Sequence, residues 1–445
     1  MAKDMTQGNP SKILFAFAIP MVLGNIFQQL YNITDSVIVG NFVGADALAA
    51  VGASSSVTFL FIALATGASM GANVVISQLF GAKAYGRMKG AIFTALIAVA
   101  GLSVFLMLVG LVFNENILLF MRTPANIMAD ASQYLRIYFL GLIFLFLYNL
   151  FNGIFNALGD SKTPLYFLIF SSLLNIGLDI LFVTAFHMGV AGVAWATFLA
   201  QLTACTLCAG VLTVKMKRLR IEEPFVYFDY PTLLSVCNIA IPSSIQQSIV
   251  SIGMLLVQTL INGYGSTVVA GYTAATKIDS IAIMPMVNVG SALSTFVAQN
   301  MGAKKAQRIS EGFKAALKLS MSIALIISCG CFLFAGELVG LFLDTAANQE
   351  VIQVGVAYIR VVSAFYFIFG LMNLSNGVLR GAGDMRLFMS ATLCNLATRV
   401  ILAYGGAWLL GSVSAVWWAI PIGWLGGMTI ATLRYRSGKW KRDII

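Results

Sequence analysis

The sequence predicts an all-α integral membrane protein, twelve transmembrane helices forming two parallel-repeat six-helix lobes around a central cleft. Three observations carry this expectation. Hydrophobic residues make up 59% of the 445-residue chain and charged residues 10%, against roughly 25% charged in soluble domains, so a soluble fold would lack polar surface. Stretches of about 20 apolar residues, enough to cross a bilayer, recur along the chain. Short motifs also repeat at a nearly constant spacing, the mark of a duplicated unit. Where no water reaches the backbone, each crossing has to be a helix that satisfies its own hydrogen bonds.

In chain order, the first six spans are expected near residues 13–39, 48–80, 91–113, 133–157, 163–187 and 190–214. The second six fall near 231–261, 267–299, 314–335, 354–380, 386–410 and 412–434. The corresponding domains are an amino-terminal lobe at 1–214, a charged linker at 215–230 and a carboxyl-terminal lobe at 231–445. The apolar run from Ile13 lacks a small-residue cleavage site and is too long for a signal core, so it is read as the first span.

The net charge of +10 has its source in the loops. One side of the membrane collects Lys3, Lys12, Lys83, Arg87, Lys89, Lys162, Lys215, Lys217, Arg218 and Arg220 in the first half. It also collects Lys304, Lys305, Arg308, Lys314, Lys318, Arg380, Arg386, Arg434, Arg436, Lys439, Lys441 and Arg442 in the second. The other side has Arg122, Arg136 and Arg360, while Lys277 and Arg399 fall inside spans. Cytoplasmic loops retain basic residues, so both termini are expected in the cytoplasm of a multi-pass cell-membrane protein. The expected partners are the lipid bilayer and small molecules, with no nucleic acid, and the expected state is a monomer. The cysteines, including the Cys205 and Cys208 pair, lie in or beside apolar stretches without histidine or acidic neighbours, and packed thiols are expected rather than a zinc or redox centre.

The repeat is explicit. The AIP at Ala18–Pro20 returns at Ala240–Pro242, QLFGAK at Gln78–Lys83 as QNMGAK at Gln299–Lys304, and NGIFNALGD at Asn152–Asp160 as NGVLRGAGD at Asn376–Asp384. Six spans per copy is an even number, so the two copies share one orientation, an arrangement suited to a rocking pair.

Ionisable residues inside spans each cost at least about 2.5–3.5 kcal/mol on insertion scales and so mark function by default. Five occur: Asp35, Asp179, Lys277, Asp279 and Arg399. In the first helix Gln28, Tyr31, Asn32 and Asp35 recur at helical spacing. Asn175 and Asp179 stack one turn apart in the fifth, and Thr197 lies in the sixth. Counting 1.5 Å per residue places Asp35, Asp179 and Thr197 in the outer half of the first lobe. Two carboxylates, an amide and a hydroxyl form a hard-oxygen set suited to a small cation, or a pair of acids able to carry protons. The second lobe lacks this acidic pair, since Asp179 aligns with Arg399 and Asp35 with Val257. Asp279 is expected to pair with Arg399, and Lys277 to point from a different face. Gln28, Tyr31, Asn32, Phe144, Tyr148, Asn152, Gln246, Met284, Met286 and Tyr366 are candidate liners of an adaptable cleft.

The LYNITDSVIVGNFVG segment at Leu30–Gly44, the QLFGAK turn and the GDSKTP turn at Gly159–Pro164, set in two six-helix lobes, resemble the multidrug and toxic compound extrusion (MATE) family, closest to its DinF-like branch. The likeness runs from about Lys12 to Arg434. It implies export of drug-like or cationic amphipathic compounds in exchange for Na+ or H+ by rocker-switch alternating access, with no cofactor. The family's amino-lobe cation site falls on Asp35, Asn175, Asp179 and Thr197. The acidic residue that the NorM-like and eukaryotic branches carry in the seventh helix is missing, Ser243, Ser244, Gln246 and Gln247 standing after Pro242. The alternative, a lipid-linked precursor flippase of the same superfamily, would call for a strongly cationic cavity. An intramembrane enzyme is disfavoured because no H-E-x-x-H occurs and the single histidine is His187.

Overall fold

A computed structural model describes residues 3–218, 223–342 and 349–441; Arg220 and Arg442 of the basic clusters lie outside the described residues. The helices are α1 (Pro10–Ile38), α2 (Ala45–Gly81), α3 (Tyr85–Phe120), α4 (Met128–Leu140), α5 (Leu142–Ala157), α6 (Lys162–Ile180) and α7 (Gly189–Arg218). They continue as α8 (Tyr230–Asn262), α9 (Ser266–Gly302), α10 (Ala306–Leu333), α11 (Ala335–Gly340), α12 (Gln349–Ser363), α13 (Tyr366–Gly381), α14 (Met385–Leu410) and α15 (Ser414–Ser437). Two π-helical turns, Val39–Val43 and Leu181–Ala185, extend α1 and α6.

Ten of these runs, 24 to 37 residues long, are apolar enough to cross a membrane. Even the shortest reaches about 36 Å at 1.5 Å per residue, more than the ~30 Å hydrocarbon core. The other two spans are bent pairs: α4 and α5 meet at 50°, α12 and α13 at 51°. Each is expected from the sequence as one span, near 133–157 and 354–380. At the first bend the Gly141 N–H is shared between the Ile137 and Tyr138 carbonyls at 3.1 and 3.0 Å, a tightened turn that redirects the axis without losing the donor. Large apolar side chains such as Val112 and Ile326, each 72% exposed, suit a surface solvated by lipid.

The chain forms two compact units. Unit 1 comprises Met1–Asp4 with Leu23–Ser244, and unit 2 comprises Met5–Val22 with Ile245–Ile445. These borders differ from the lobes drawn on sequence at 214 and 231. One border lies between Asp4 and Met5, ahead of α1; the other two fall inside long helices, two residues after Pro20 in α1 and two after Pro242 in α8. Proline leaves its helix without one backbone bond, and that signal says nothing about which unit a half-helix joins.

The repeated motifs explain the local packing. At Gly153 an added Cβ would lie 2.7 Å from the Ser69 carbonyl oxygen, and Gly377 packs in the same way against Gly290. The glycine of each NG pair therefore lets α5 approach α2, and α13 approach α9, as closely as backbones allow. Gly159 and Gly383 adopt φ of +76° and +73°, conformations glycine takes without steric cost. The following aspartates then cap the next helix or pair with the last one. Asp160 accepts from the Lys162 and Thr163 N–H groups at 3.1 Å each and from the Thr163 hydroxyl at 2.6 Å, and it pairs with Lys215 of α7. Asp384 pairs with Arg434 Nε of α15 at 2.6 Å. Arg380, assigned to a loop on sequence, lies on α13 with Nε donating to Ser294 Oγ at 3.2 Å. Cys205, Cys208 and Cys331 are buried, whereas Cys329 is exposed and departs from the expected packing.

Candidate cation site

The site lies wholly in unit 1, where α1, α4, α6 and α7 supply its side chains. Asp35 stands one turn before the π-helical Val39–Val43, and Asp179 two residues before the π-helical Leu181–Ala185. Such wide turns are rare and gather at functional sites. Val39 and Val183, from the two π turns, share one small core with Ala47, Val190 and Val193. That core fixes the ends of α1 and α6 against each other and brings the two acids into register.

The Asp35 and Asp179 carboxyl groups come within hydrogen-bonding reach of one another. Asp179 is fully buried, and one oxygen of each carboxyl group, Oδ1, has no partner. Among the described residues no cation lies within ion-pairing distance of either, the ion pairs being Arg136–Glu115, Lys215–Asp160 and Arg434–Asp384. Two acids without a counter-charge at this depth leave a strong electrostatic demand.

Asn175 sits between α6 and α7. With its amide nitrogen turned to the acid, it donates to Asp179 Oδ2 at 2.8 Å and accepts from the Thr197 N–H at 3.0 Å, the assignment that satisfies both groups. In that orientation Asn175 holds Asp179 in place, and its oxygen, accepting from a single donor, keeps a second lone pair. Tyr31 reaches the Thr197 hydroxyl and lies beside both acids. The oxygens gathered at the cluster and available to a small cation belong to Asp35, Asp179, Asn175, Tyr31 and Thr197. Tyr31, assigned to the cleft on sequence, belongs to this cluster.

Tyr134 of α4 also neighbours both carboxylates. A void of about 10 Å³ opens next to it, bordered by Tyr138, Thr197 and Gln201, about the room a single water needs. Sequence reasoning missed Tyr134; helical spacing carried no sign that α4 would turn this face towards α1 and α6.

The remaining candidates scatter. Gln28 and Asn32 are exposed on α1, and Asn32 turns to Gln29 at 3.5 Å. Phe144 packs edge-on against Phe198 at 5.4 Å. Tyr148 engages Asn152, whose Oδ1 is buried without a partner. Gln246 and Met284 are half-buried. Met286 and Tyr366 are completely buried in the unit 2 core, and neither presents an open surface.

In unit 2, Asp279 accepts from the Tyr366 hydroxyl at 2.8 Å and from Tyr358 at 3.4 Å. The expected ion pair with Arg399 does not form within 4.0 Å. Arg399 acts on Asp279 electrostatically from farther away and engages the Tyr272 hydroxyl, with its Nε buried and unpaired. Tyrosine donors satisfy the acid, and Tyr272, Tyr358 and Trp417 fill the surrounding space as a packed aromatic trio at 5.1 to 5.6 Å. Lys277 is exposed, over the Phe342 ring at 5.7 Å.

The MatE family profile matches residues 20–181 and 242–405, one copy in each half of the chain. The probable multidrug resistance protein YpnP of Bacillus subtilis (strain 168) is 31% identical over 99% of this chain and 98% of its own length. Among solved structures, a MATE in complex with MaL6 is similar with a TM-score of 0.89 at 25% identity, over 99% of both chains. A MOP superfamily transporter from Pyrococcus furiosus Vc1 (DSM3638), described by a binding pocket of reverse polarity, is similar with a TM-score of 0.88 at 25% identity, over 99% and 98%.

Proposed function

The chain belongs to the MATE family of membrane transporters, and from that premise we propose that it exports drug-like or cationic amphipathic compounds, driven by Na+ or H+ taken up at Asp35 and Asp179. It is a transporter rather than an enzyme. The observation that carries the coupling is the pair of adjoining carboxyl groups without a counter-charge, one fully buried with an unpartnered oxygen. The drug-resistance name of the similar YpnP protein supports the cargo class.

A cation entering the cluster meets two carboxylates and the Tyr31 and Thr197 hydroxyls, the hard oxygens that Na+ favours; a proton instead bridges the carboxyl pair. Either removes the repulsion between Asp35 and Asp179. The ends of α1 and α6 then close on one another through the shared core of Val39 and Val183, while Asn175 keeps Asp179 aimed at the ion. Emptying the site restores the repulsion and reopens those ends. Alternating access follows when the loaded and unloaded geometries favour opposite openings. Both termini sit in the cytoplasm, on the basic side of the membrane.

The test is export of a fluorescent lipophilic cation from proteoliposomes under separately imposed Na+ and pH gradients. Wild type accumulates cargo against its gradient with one of the two ions, and Asp35→Asn and Asp179→Asn lose that accumulation while passive binding of the dye persists. Undiminished gradient-driven export by both variants refutes the assignment.

A further inference from the structure

Residues 223–229, which lead into α8, are held against α3 far more firmly than a connection requires. The Gly86 N–H donates to the Glu223 carboxylate at 2.6 Å, and the Asp229 N–H donates to Thr94 Oγ1 at 3.0 Å. Phe225 stacks on Phe93 with centroids 5.7 Å apart, Tyr227 meets both rings edge-on at 5.1 and 4.9 Å, and Lys89 covers Phe225 at 4.0 Å. A linker that serves only to connect is polar and loose.

Apart from Glu223, whose carboxylate is held by the Gly86 N–H, the side chains this clamped segment exposes are apolar. Val226, Tyr227 and Tyr230 are each more than 60% exposed, and Phe228 is 44% exposed. Its depth is set by its neighbours, since α2 ends at Gly81, α3 begins at Tyr85, α7 ends at Arg218 and α8 begins at Tyr230. These four helix ends fall in the loops that collect the basic residues, the side that faces the cytoplasm by the positive-inside rule. Lys83, Lys89, Lys217 and Arg218 stand at these same helix ends. Arg87, exposed beside them, makes no hydrogen bond or ion pair among the described residues. A cavity of about 410 Å³ opens between α3 and the segment, lined by Arg87, Pro224, Phe225, Val226, Asp229 and Thr232.

The second repeat supplies an internal control. There Tyr435 stacks on Phe313 at 4.1 Å and Trp440 on Tyr435 at 6.0 Å, and Trp440 is 3% exposed. Packing a chain onto the third span of a repeat thus needs no outward rings. The exposed aromatics of unit 1 serve a different contact.

We propose that residues 223–230 form a docking surface for an anionic phospholipid of the leaflet on the basic side, with Tyr227, Phe228 and Tyr230 in the interfacial layer and the lipid phosphate in the cavity against Arg87. Aromatic rings settle at that layer, and anionic headgroups match the ring of lysines and arginines. The proposal needs the chain to span a bilayer but is independent of cation coupling.

The full-length protein in nanodiscs of phosphatidylcholine alone, or with phosphatidylglycerol added, provides the test. Hydrogen exchange is followed across 223–234, and retained phosphatidylglycerol is counted by native mass spectrometry. Wild type gains protection in this segment on addition of the anionic lipid and retains at least one such molecule. Arg87→Gln binds it about fivefold more weakly, the equivalent of the ~1 kcal/mol a basic residue contributes at an anionic surface. Phe228→Ser loses protection in both bilayers, whereas Arg122→Gln, from a loop on the other side, behaves as wild type. Exchange that ignores headgroup charge, or equal lipid retention by wild type and Arg87→Gln, overturns the proposal.

Discussion

Replacing Lys215 with methionine removes the counter-charge of a carboxylate that is almost entirely enclosed. The Asp160 and Lys215 side chains are only 9% and 18% exposed. Burial by itself would raise the Asp160 carboxyl, but the hydrogen bonds from Lys215 and Thr163, with the Lys215 charge, outweigh it and hold the group below the ordinary aspartate range. Stripping one partner from a buried pair costs about 3–5 kcal/mol, and the residual exposure here places Lys215→Met near 3 kcal/mol. Asp160→Asn keeps an acceptor for the Thr163 cap and leaves a lysine able to reach water, so about 1.5 kcal/mol is expected from one lost charged hydrogen bond. The double variant should match Asp160→Asn, because no unpaired charge remains. For a unit of about 220 residues these become Tm losses of ~6–12 °C for Lys215→Met and ~3–6 °C for the other two, read by intrinsic tryptophan fluorescence in detergent. Because folding lowers the Asp160 pKa, the advantage of wild type over Asp160→Asn is complete above the unfolded value near 4 and fades as pH falls through the folded one. Additive losses in the double variant, or an advantage that grows on acidification, refute the reasoning.

Two further outcomes follow from the same geometry. Asn175→Ala removes the 2.8 Å donor to Asp179, so the half-saturating concentration of the coupling ion should rise about tenfold for a loss of ~1.4 kcal/mol; an unchanged ion dependence of export would contradict the positioning role. Gly153→Ala forces a methyl group to within 2.7 Å of the Ser69 carbonyl oxygen, pushing α2 from α5 at a cost of about 1–3 kcal/mol, visible as a lower Tm, and a Tm equal to wild type would show that the crossing has slack.

The twelve spans, the duplication and the meeting of Asp35 with Asp179 were legible in the residues alone. Solvation by lipid dictates where helices run, and counting along a helix dictates which side chains share a depth. Contacts between helices followed different rules. Helical periodicity says which residues share a face but not which neighbour that face meets, so Tyr134 went unseen and the place of Tyr31 against Thr197 and both acids was not read from the spacing. The same gap led to a pairing of Asp279 with Arg399, when Tyr358 and Tyr366 arrive from a bent pair whose 51° turn no spacing announces. The unit borders inside α1 and α8 likewise depend on which partners each half-helix packs against, a property of the assembled core rather than of any local run of sequence.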